Sequence, residues 1–273
     1  MKTFAQEVAQ RQRFEFGQNW QRFLAVLNDD RIAEAEQSLK AMLACESLQG
    51  KSFVDIGSGS GLFSLAAMRL GADRVHSFDY DPQSVACAEE LKRRFFPSAA
   101  HWTIERGSAL DERYLSSLGQ WDILYSWGVL HHTGQMWRAL ENVVPLVKPG
   151  GQLFISIYND QGGASKLWRA VKAFYNQGIA GRTLVTITFI PYFVVGGLVM
   201  DILRFRNPLD RYRNYKQSRG MSIVHDWFDW LGGYPFEVAR PEAIFSFYYE
   251  RGFELQRLVT RGSGCNEYVF RLK

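Results

Sequence analysis

The stretch Val54-Asp55-Ile56-Gly57-Ser58-Gly59-Ser60-Gly61 joins an apolar run to a glycine loop. Glycines there let the backbone turn sharply, and without Cβ atoms the chain can be approached closely by a ligand. The spacing is G-x-G-x-G, one residue shorter than the G-x-G-x-x-G that opens onto a pyrophosphate. It suits the sulfonium–ribose part of a nucleoside cofactor. Asp55, just before the loop, would orient it or receive an ammonium group through water. Asp79 follows 18 residues beyond Gly61, where a carboxylate can accept bonds from both ribose hydroxyls. Tyr80 is its neighbour, and Asp81 is already turning into the helix start at Pro82. The run Gly107-Ser108-Ala109-Leu110-Asp111 would meet the adenine edge. The run Tyr125-Ser126-Trp127-Gly128-Val129-Leu130-His131-His132 would face the reacting end of the cofactor. Each motif alone is as often a plain turn or helix start; four in order argue against coincidence.

These residues need elements to hold them. Strands are expected over Ser52–Ile56, Arg74–Phe78, His101–Glu105, Trp121–Ser126 and Gln152–Ile157, with helices near 60–70, 83–96, 111–118 and 135–147. Such alternation implies right-handed crossovers and a parallel, doubly wound sheet, whose ligands lie at the carboxyl ends of the strands. Lys148-Pro149-Gly150-Gly151 reads as a turn that launches the fifth strand. Residues 3–48 read as an amphipathic helical cap, with Asn28-Asp29-Asp30 supplying the N-cap of a second helix. No strand pattern occurs over 160–220, an insertion after the fifth strand. Phe253–Val259 and Glu267–Leu272, joined through Gly262-Ser263-Gly264, read as a closing antiparallel pair. The expected division is a cap (1–48), a core (49–159 with 238–273) and a helical lid or substrate region (160–237).

On VDIGSGSG, SFDYDP, GSALD, DILYSWGVLHH and LVKPGGQLFISIYN, spanning roughly 50–158, the chain resembles the class I methyltransferases. Within them it is similar to the ubiquinone- and menaquinone-biosynthesis methylases, a likeness that fades after 160. The resemblance implies a seven-stranded Rossmann-like sheet with an antiparallel last strand. It implies S-adenosylmethionine as cofactor and S-adenosylhomocysteine as product, with contacts at Asp55, Gly57, Gly59, Asp79 and the Ser108–Ala109 backbone. Ser58, Gly61, Tyr80, Trp127 and Trp20 complete the expected cofactor set. Many members carry an acidic residue where Ser108 stands, so the adenine amino group would meet Ser108 or Asp111.

Phe14-Glu15-Phe16-Gly17-Gln18-Asn19-Trp20 reads either as a helix packed on the sheet edge or as a lid closed by Trp20 or Phe16. Residues 184–203, LVTITFIPYFVVGGLVMDIL, precede Arg204, Arg206, Arg211, Arg213, Lys216 and Arg219. Three readings compete: a buried helical hairpin or oligomer contact, an apolar surface dipping into a membrane interface beside basic residues, and a true span. The aromatic, glycine-rich stretch 219–237 reads as a pocket wall. His225 and Asp229, four apart, share a helix face, but two ligands without a third at motif spacing do not make a metal site. Methyl transfer to a hydroxyl needs alignment and a base. His132 is the first candidate, His225 the second, and His131 the alternative to its neighbour. Tyr158-Asn159-Asp160 would border the acceptor pocket.

Composition limits the partners. Hydrophobic residues make up 47% of 273, so a sizeable core is expected; a net charge of +4 permits an RNA or membrane partner without demanding one. Cys45, Cys87 and Cys265 lack metal-like spacing and read as reduced thiols of a cytoplasmic protein, peripheral to a membrane if 184–219 touches one. The N-terminus lacks the apolar core of a signal peptide. The expected acceptor is a small or lipid-linked molecule, methylated on oxygen before nitrogen, and a homodimer is allowed. An RNA methyltransferase is disfavoured, because the aromatic C-terminal segment encloses and the basic residues sit beside an apolar run; a nucleobase N-methylase would carry an Asn/Asp-Pro-Pro-aromatic run, which SWGVLHH lacks. A non-catalytic binding protein is disfavoured by the intact loop and Asp79.

Overall fold

The computed structural model describes residues 3–213, 215, 220–262 and 264–273. Its centre is a seven-stranded sheet of β1 (Ser52–Ile56), β2 (Arg74–Asp79), β3 (Trp102–Arg106), β4 (Trp121–Trp127), β5 (Val147–Tyr158), β6 (Phe253–Val259) and β7 (Cys265–Leu272), ordered β3-β2-β1-β4-β5-β7-β6. The first five strands are parallel; β7 runs antiparallel to both β5 and β6. This is the doubly wound mixed sheet expected, closed by the antiparallel pair. Ser263 of the turn between β6 and β7 lies outside the described residues. Order reverses between β1 and β4, so the crevice above their carboxyl ends is where such a sheet takes a ligand.

Helices cover both faces. Between β1 and β4 run α4 (Leu62–Arg69), α5 (Pro82–Phe95) and α6 (Glu112–Ser117), then α7 (Met136–Val143) precedes β5 and α12 (Pro241–Tyr249) precedes β6. One core joins β1, α4, α5 and the helix Asp29–Leu43 around Phe53, Leu65 and Trp102; the other joins β4, β5, α7 and α12 around Leu124, Ile155 and Tyr248. β1 is buried along its whole length, as a strand covered on both faces must be.

The cap contains three helices: α1 (Phe4–Ala9), α2 (Phe16–Leu24) and α3 (Asp29–Leu43). Asn28 caps the third of them, not a second, its side chain accepting from the Arg31 amide at 3.1 Å. The chain breaks between α1 and α2, where Arg11 adopts φ +60°. Lys148–Gly151 also departs from the expected turn. It belongs to β5 as a bulge, Trp121 pairing with Val147 and Ile123 with Gln152. Lys148 Nζ holds the Asp122 carboxylate at 2.9 Å, and a Cβ on Gly151 would lie 2.9 Å from the Lys148 carbonyl oxygen. The helix expected over 135–147 ends at Val143 and passes into a 3₁₀ turn, Val144–Leu146.

The insertion holds α8 (Gly163–Tyr175), α9 (Ile179–Leu203), α10 (Pro208–Arg213) and α11 (Ile223–Gly232). The apolar run is a single helix with Pro191 inside it, not a buried hairpin. Across Ile179–Leu203 only Gly181, Val185 and Asp201 are buried. A helix apolar all round normally lies in a core or a membrane; this one packs on α8, α10 and α11 and leaves most of its remaining surface exposed. Of the basic residues expected beside it, Lys216 and Arg219 lie outside the described residues.

Candidate functional site

Above the carboxyl ends of β1, β2 and β4 lies a cleft of about 800 Å³. The glycine loop forms its floor. Gly57 and Gly59 sit at φ +73° and +55°, and the Gly57 and Ser58 amides donate to the Phe78 carbonyl at 2.8 and 3.0 Å. Protein fills the space left by the missing side chains. A Cβ on Gly57 would meet Val129 Cγ1 at 2.3 Å, and one on Gly59 would meet Trp20 Nε1 at 2.9 Å. Gly61 does not line the cleft: it is the N-cap of α4, and a Cβ there would strike the Ala88 backbone of α5 at 2.7 Å.

Asp79 ties β2 to this loop, accepting from the Gly59 amide and the Asp81 amide, both at 2.9 Å. Asp81 caps α5 through the Gln83 amide and accepts from Gly17 of α2 at 2.8 Å, which brings the cap down onto the core. A Cβ on Gly17 would lie 2.5 Å from Gln83 Cβ, so a glycine is needed for that approach. Asp55 accepts from Ser64 Oγ at 2.5 Å; Ser64 in turn accepts from Ser77, and Ser77 from the Trp102 indole. Burial raises Asp55 to about 7 and Asp79 to about 6. Asp111 caps α6 through the Tyr114 amide, and Ser108 accepts from the Leu110 amide. Both face the cleft, as do Ser58, Ala109, Tyr80 and Trp127.

The cap forms the roof. Phe4, Phe14, Phe16 and Trp20 all line the cleft. Arg13, between α1 and α2, donates to the His132 and Thr133 carbonyls at 3.0 and 3.5 Å and pairs with Glu7 at 2.5 Å. Nothing in the sequence distinguishes Arg13 from other surface arginines, because its role depends on a contact 119 residues away.

The three candidate histidines part company. His132 lines the cleft, with the Phe16 ring tilted against it at 5.1 Å between centroids. Its Nδ1 lies 2.6 Å from the Pro235 carbonyl, which can only accept, so the ring proton sits on Nδ1. Burial, then Lys172 and Arg13, lower this imidazole to about 3. His131 is fully buried behind it, between His132 and Tyr158, and burial drives it well below its ordinary value. His225 does not reach the cleft; its Nδ1 meets Ser222 Oγ at 2.8 Å and its ring lies edge-on to Phe23. Asp229, on the same helix, does reach it, held by Asn19 Nδ2 at 2.9 Å. No cluster of three metal-ligating side chains occurs among the described residues.

The acceptor end is aromatic, with Tyr158, Trp227 and Trp230 beside Asp226 and Asp229. Behind it Lys172 is completely buried, donating to the Trp230 carbonyl and lying over the Tyr158, Trp230 and Phe236 rings. Sequence reading passes over this lysine, since on α8 it has the look of a solvated position.

The donor set fits a cationic nucleoside. Carboxylates dominate the lining, with Arg13 and Arg106 as its described guanidiniums, and the buried Ser58 hydroxyl finds no partner among the described residues. A family model described as a methyltransferase domain matches residues 54–153. The ribosomal protein L11 methyltransferase of Alteromonas mediterranea is 49% identical over 47 residues, covering 17% of this chain and 16% of that protein. Among solved structures, magnesium protoporphyrin IX methyltransferase from Synechocystis has a TM-score of 0.53 at 15% identity, covering 90% of this chain and 89% of that one. The N-methyltransferase NodS from Bradyrhizobium japonicum has a TM-score of 0.51 at 17% identity, covering 94% and 98%. The fold is that of the class I S-adenosylmethionine-dependent methyltransferases. Within that fold, residues 54–153 carry the match to a methyltransferase domain.

Proposed function

We propose that the chain transfers the methyl group of S-adenosylmethionine to an oxygen of a small or lipid-linked acceptor, leaving S-adenosylhomocysteine, with His132 as the proton acceptor. The observation that carries this reading is the His132 tautomer. With the proton fixed on Nδ1, Nε2 keeps its lone pair free to accept a proton, on a residue that lines the cleft. An imidazole near 3 is neutral at every working pH. It is a weak base, and a weak base suffices here, because a hydroxyl becomes strongly acidic only as its oxygen bonds to carbon. The bound cofactor supplies an electrophilic methyl carbon on a good leaving group.

The chain's own residues bind, orient and exclude water. We read Asp79 as the ribose anchor and Asp55 as the water-mediated partner of the ammonium. The Gly57–Gly59 backbone with Ser58 forms the floor, and Ser108 and Ala109 meet the adenine edge. Tyr80, Trp127 and Trp20 flank the ligand, and the aromatic roof keeps water from the sulfonium. Gly61 shapes the loop from its contact with α5, His131 backs His132, and His225 braces α11. The segments 1–48, 49–159 with 238–273, and 160–237 are read as cap, core and acceptor region, with 184–219 as a peripheral membrane contact of a cytoplasmic protein. A homodimer through α9 is the competing use of that face.

Calorimetry tests the reading directly. S-adenosylmethionine should bind, and Gly59→Arg should abolish binding; no heat from the wild type, or an unchanged affinity in the variant, sinks it. Methyl-labelled cofactor offered to lipid and aqueous cell fractions should then mark a small or lipid-linked compound. Label confined to RNA would overturn the acceptor class.

A further inference from the structure

α9 leaves the insertion with a large unpartnered apolar surface. Its most apolar 18-residue window has a mean hydropathy of 2.0, and 6% of that window is buried. Leu184, Ile187, Val195, Leu198, Ile202 and Leu203 are all exposed. Twenty-five residues of helix are about 38 Å long, enough to lie across a broad patch of bilayer surface. Asp201, the acid within this helix, is neutralised: Arg211 reaches over Gly197 to its two carboxylate oxygens at 2.6 and 2.7 Å. Beyond it Arg204 and Arg206 stand exposed just past the helix's C-terminal end, and Arg213 is exposed at the end of α10. That pairing of an apolar face with a basic border suits anionic headgroups over acyl chains. A second copy packed with its α9 parallel to this one about a two-fold axis would instead set arginines against arginines.

The same face is continuous with the cleft. Tyr158 touches Trp230 at 5.1 Å between ring centroids, Trp230 touches Trp168 at 5.3 Å, and Trp168 touches Phe189 of α9 at 5.1 Å. Phe193 of α9 lies 6.1 Å from Trp227, which also lines the cleft. Phe189 leads on to Tyr192, exposed on the outer side of the helix. An unbroken wall of rings therefore runs from the acceptor end to the exposed apolar surface.

We infer that α9 rests in the headgroup–acyl boundary of one leaflet of an anionic membrane. We further infer that the acceptor is an amphiphile resident in that leaflet, its reacting hydroxyl reaching the cleft along the Trp168–Trp230–Trp227 wall. The acceptor half rests on the methyl-transfer reading; the docking half does not.

The test uses the full chain and the variant Val195→Asn/Leu198→Asn/Ile202→Asn, whose positions are exposed and do not support the core. The wild type should sediment with phosphatidylglycerol vesicles, less with phosphatidylcholine vesicles, and less again in high salt. The triple variant should stay in the supernatant with its S-adenosylmethionine affinity unchanged, and Arg204→Glu/Arg206→Glu should lose the preference for anionic lipid. Labelled methyl transfer to a total lipid extract should fall about tenfold or more in the triple variant when the extract is in vesicles, and not when it is dispersed in detergent. A wild type that ignores both vesicles overturns docking, as does a lipid-free dimer that the triple variant dissociates. Cofactor binding with label only in water-soluble compounds overturns the lipid acceptor and spares methyl transfer. Vesicle binding without cofactor binding does the reverse, removing the methyl-transfer reading and leaving docking intact.

Discussion

Gly57 and Gly59 combine left-handed backbone with side chains pressed onto their α-carbons, so two costs coincide at each. Left-handed backbone alone costs about 1–2 kcal/mol for a residue with a Cβ, and in Gly57→Ala the new methyl must also displace Val129. Gly57→Ala should therefore weaken S-adenosylmethionine binding by more than about tenfold in calorimetry, and an unaltered affinity would count against the loop's role. Asp55 and Asp79 bring pH dependence. Held at about 7 and about 6 in the ligand-free cleft, they ionise as pH rises, so affinity for the cationic cofactor should climb from about pH 5 to about pH 8 and then level off. Asp79→Asn should flatten the lower part of that climb. For stability the sign reverses. The unfolded chain releases these protons near 3.8 and the fold holds them to about 6 and about 7, so the ligand-free protein loses stability as pH rises from about 4 to about 7. At His132, replacement by Asn should lower kcat by about 10²–10⁴-fold with cofactor affinity kept. The wild-type rate should show no acidic limb near neutrality from this ring. Equal losses in affinity and kcat would assign His132 to binding alone.

Elements were legible where one local signal decides them. Asn28 is such a case: an N-cap side chain bonding three residues ahead is a local event, and only the helix's ordinal number was misread. Asn28→Ala should lower stability by about 1 kcal/mol, read as a shifted urea midpoint with an unchanged slope. The break between α1 and α2 had no such signal, since Arg13 is held by carbonyls of the β4 end. Lys148–Gly151 carries the residues of a turn, and its neighbours make it a bulge, because Val147 before it and Gln152 after it both pair with β4 and keep it within the strand. The composition of α9 left burial, membrane contact and span open. Helical backbone across Pro191 and side chains left in solvent came only with the packing of α8 and α11.

At the scale of the molecule, Lys172 joins the insertion to the acceptor end of the cleft. Burial lowers its amine to about 7, against 10.5 for the free side chain. Between those values the unfolded chain binds the extra proton, so this lysine makes the fold more stable as pH rises from about 7 toward about 10. Lys172→Met should lose that rise, visible as a smaller difference in urea midpoint between the two pH values than the wild type gives. An identical pH dependence in both proteins would mean that the amine stays charged in the fold.

The amino-acid sequence by itself determined the sheet, the crossovers and the motifs at β1, β2 and β4. Apolar periodicity and glycine spacing are local properties that survive any arrangement of the rest. It placed Asp55, Gly57, Gly59, Asp79 and His132 at strand ends that share one cleft. Only the tertiary structure decided that His132 faces that cleft while His131 is buried and His225 is not brought to it, that Gly61 serves packing, and that Arg13, Asp226 and Lys172 belong to its surroundings. Those outcomes depend on contacts between segments tens to hundreds of residues apart. Burial and tautomer arise from such contacts, and residue order alone does not contain them.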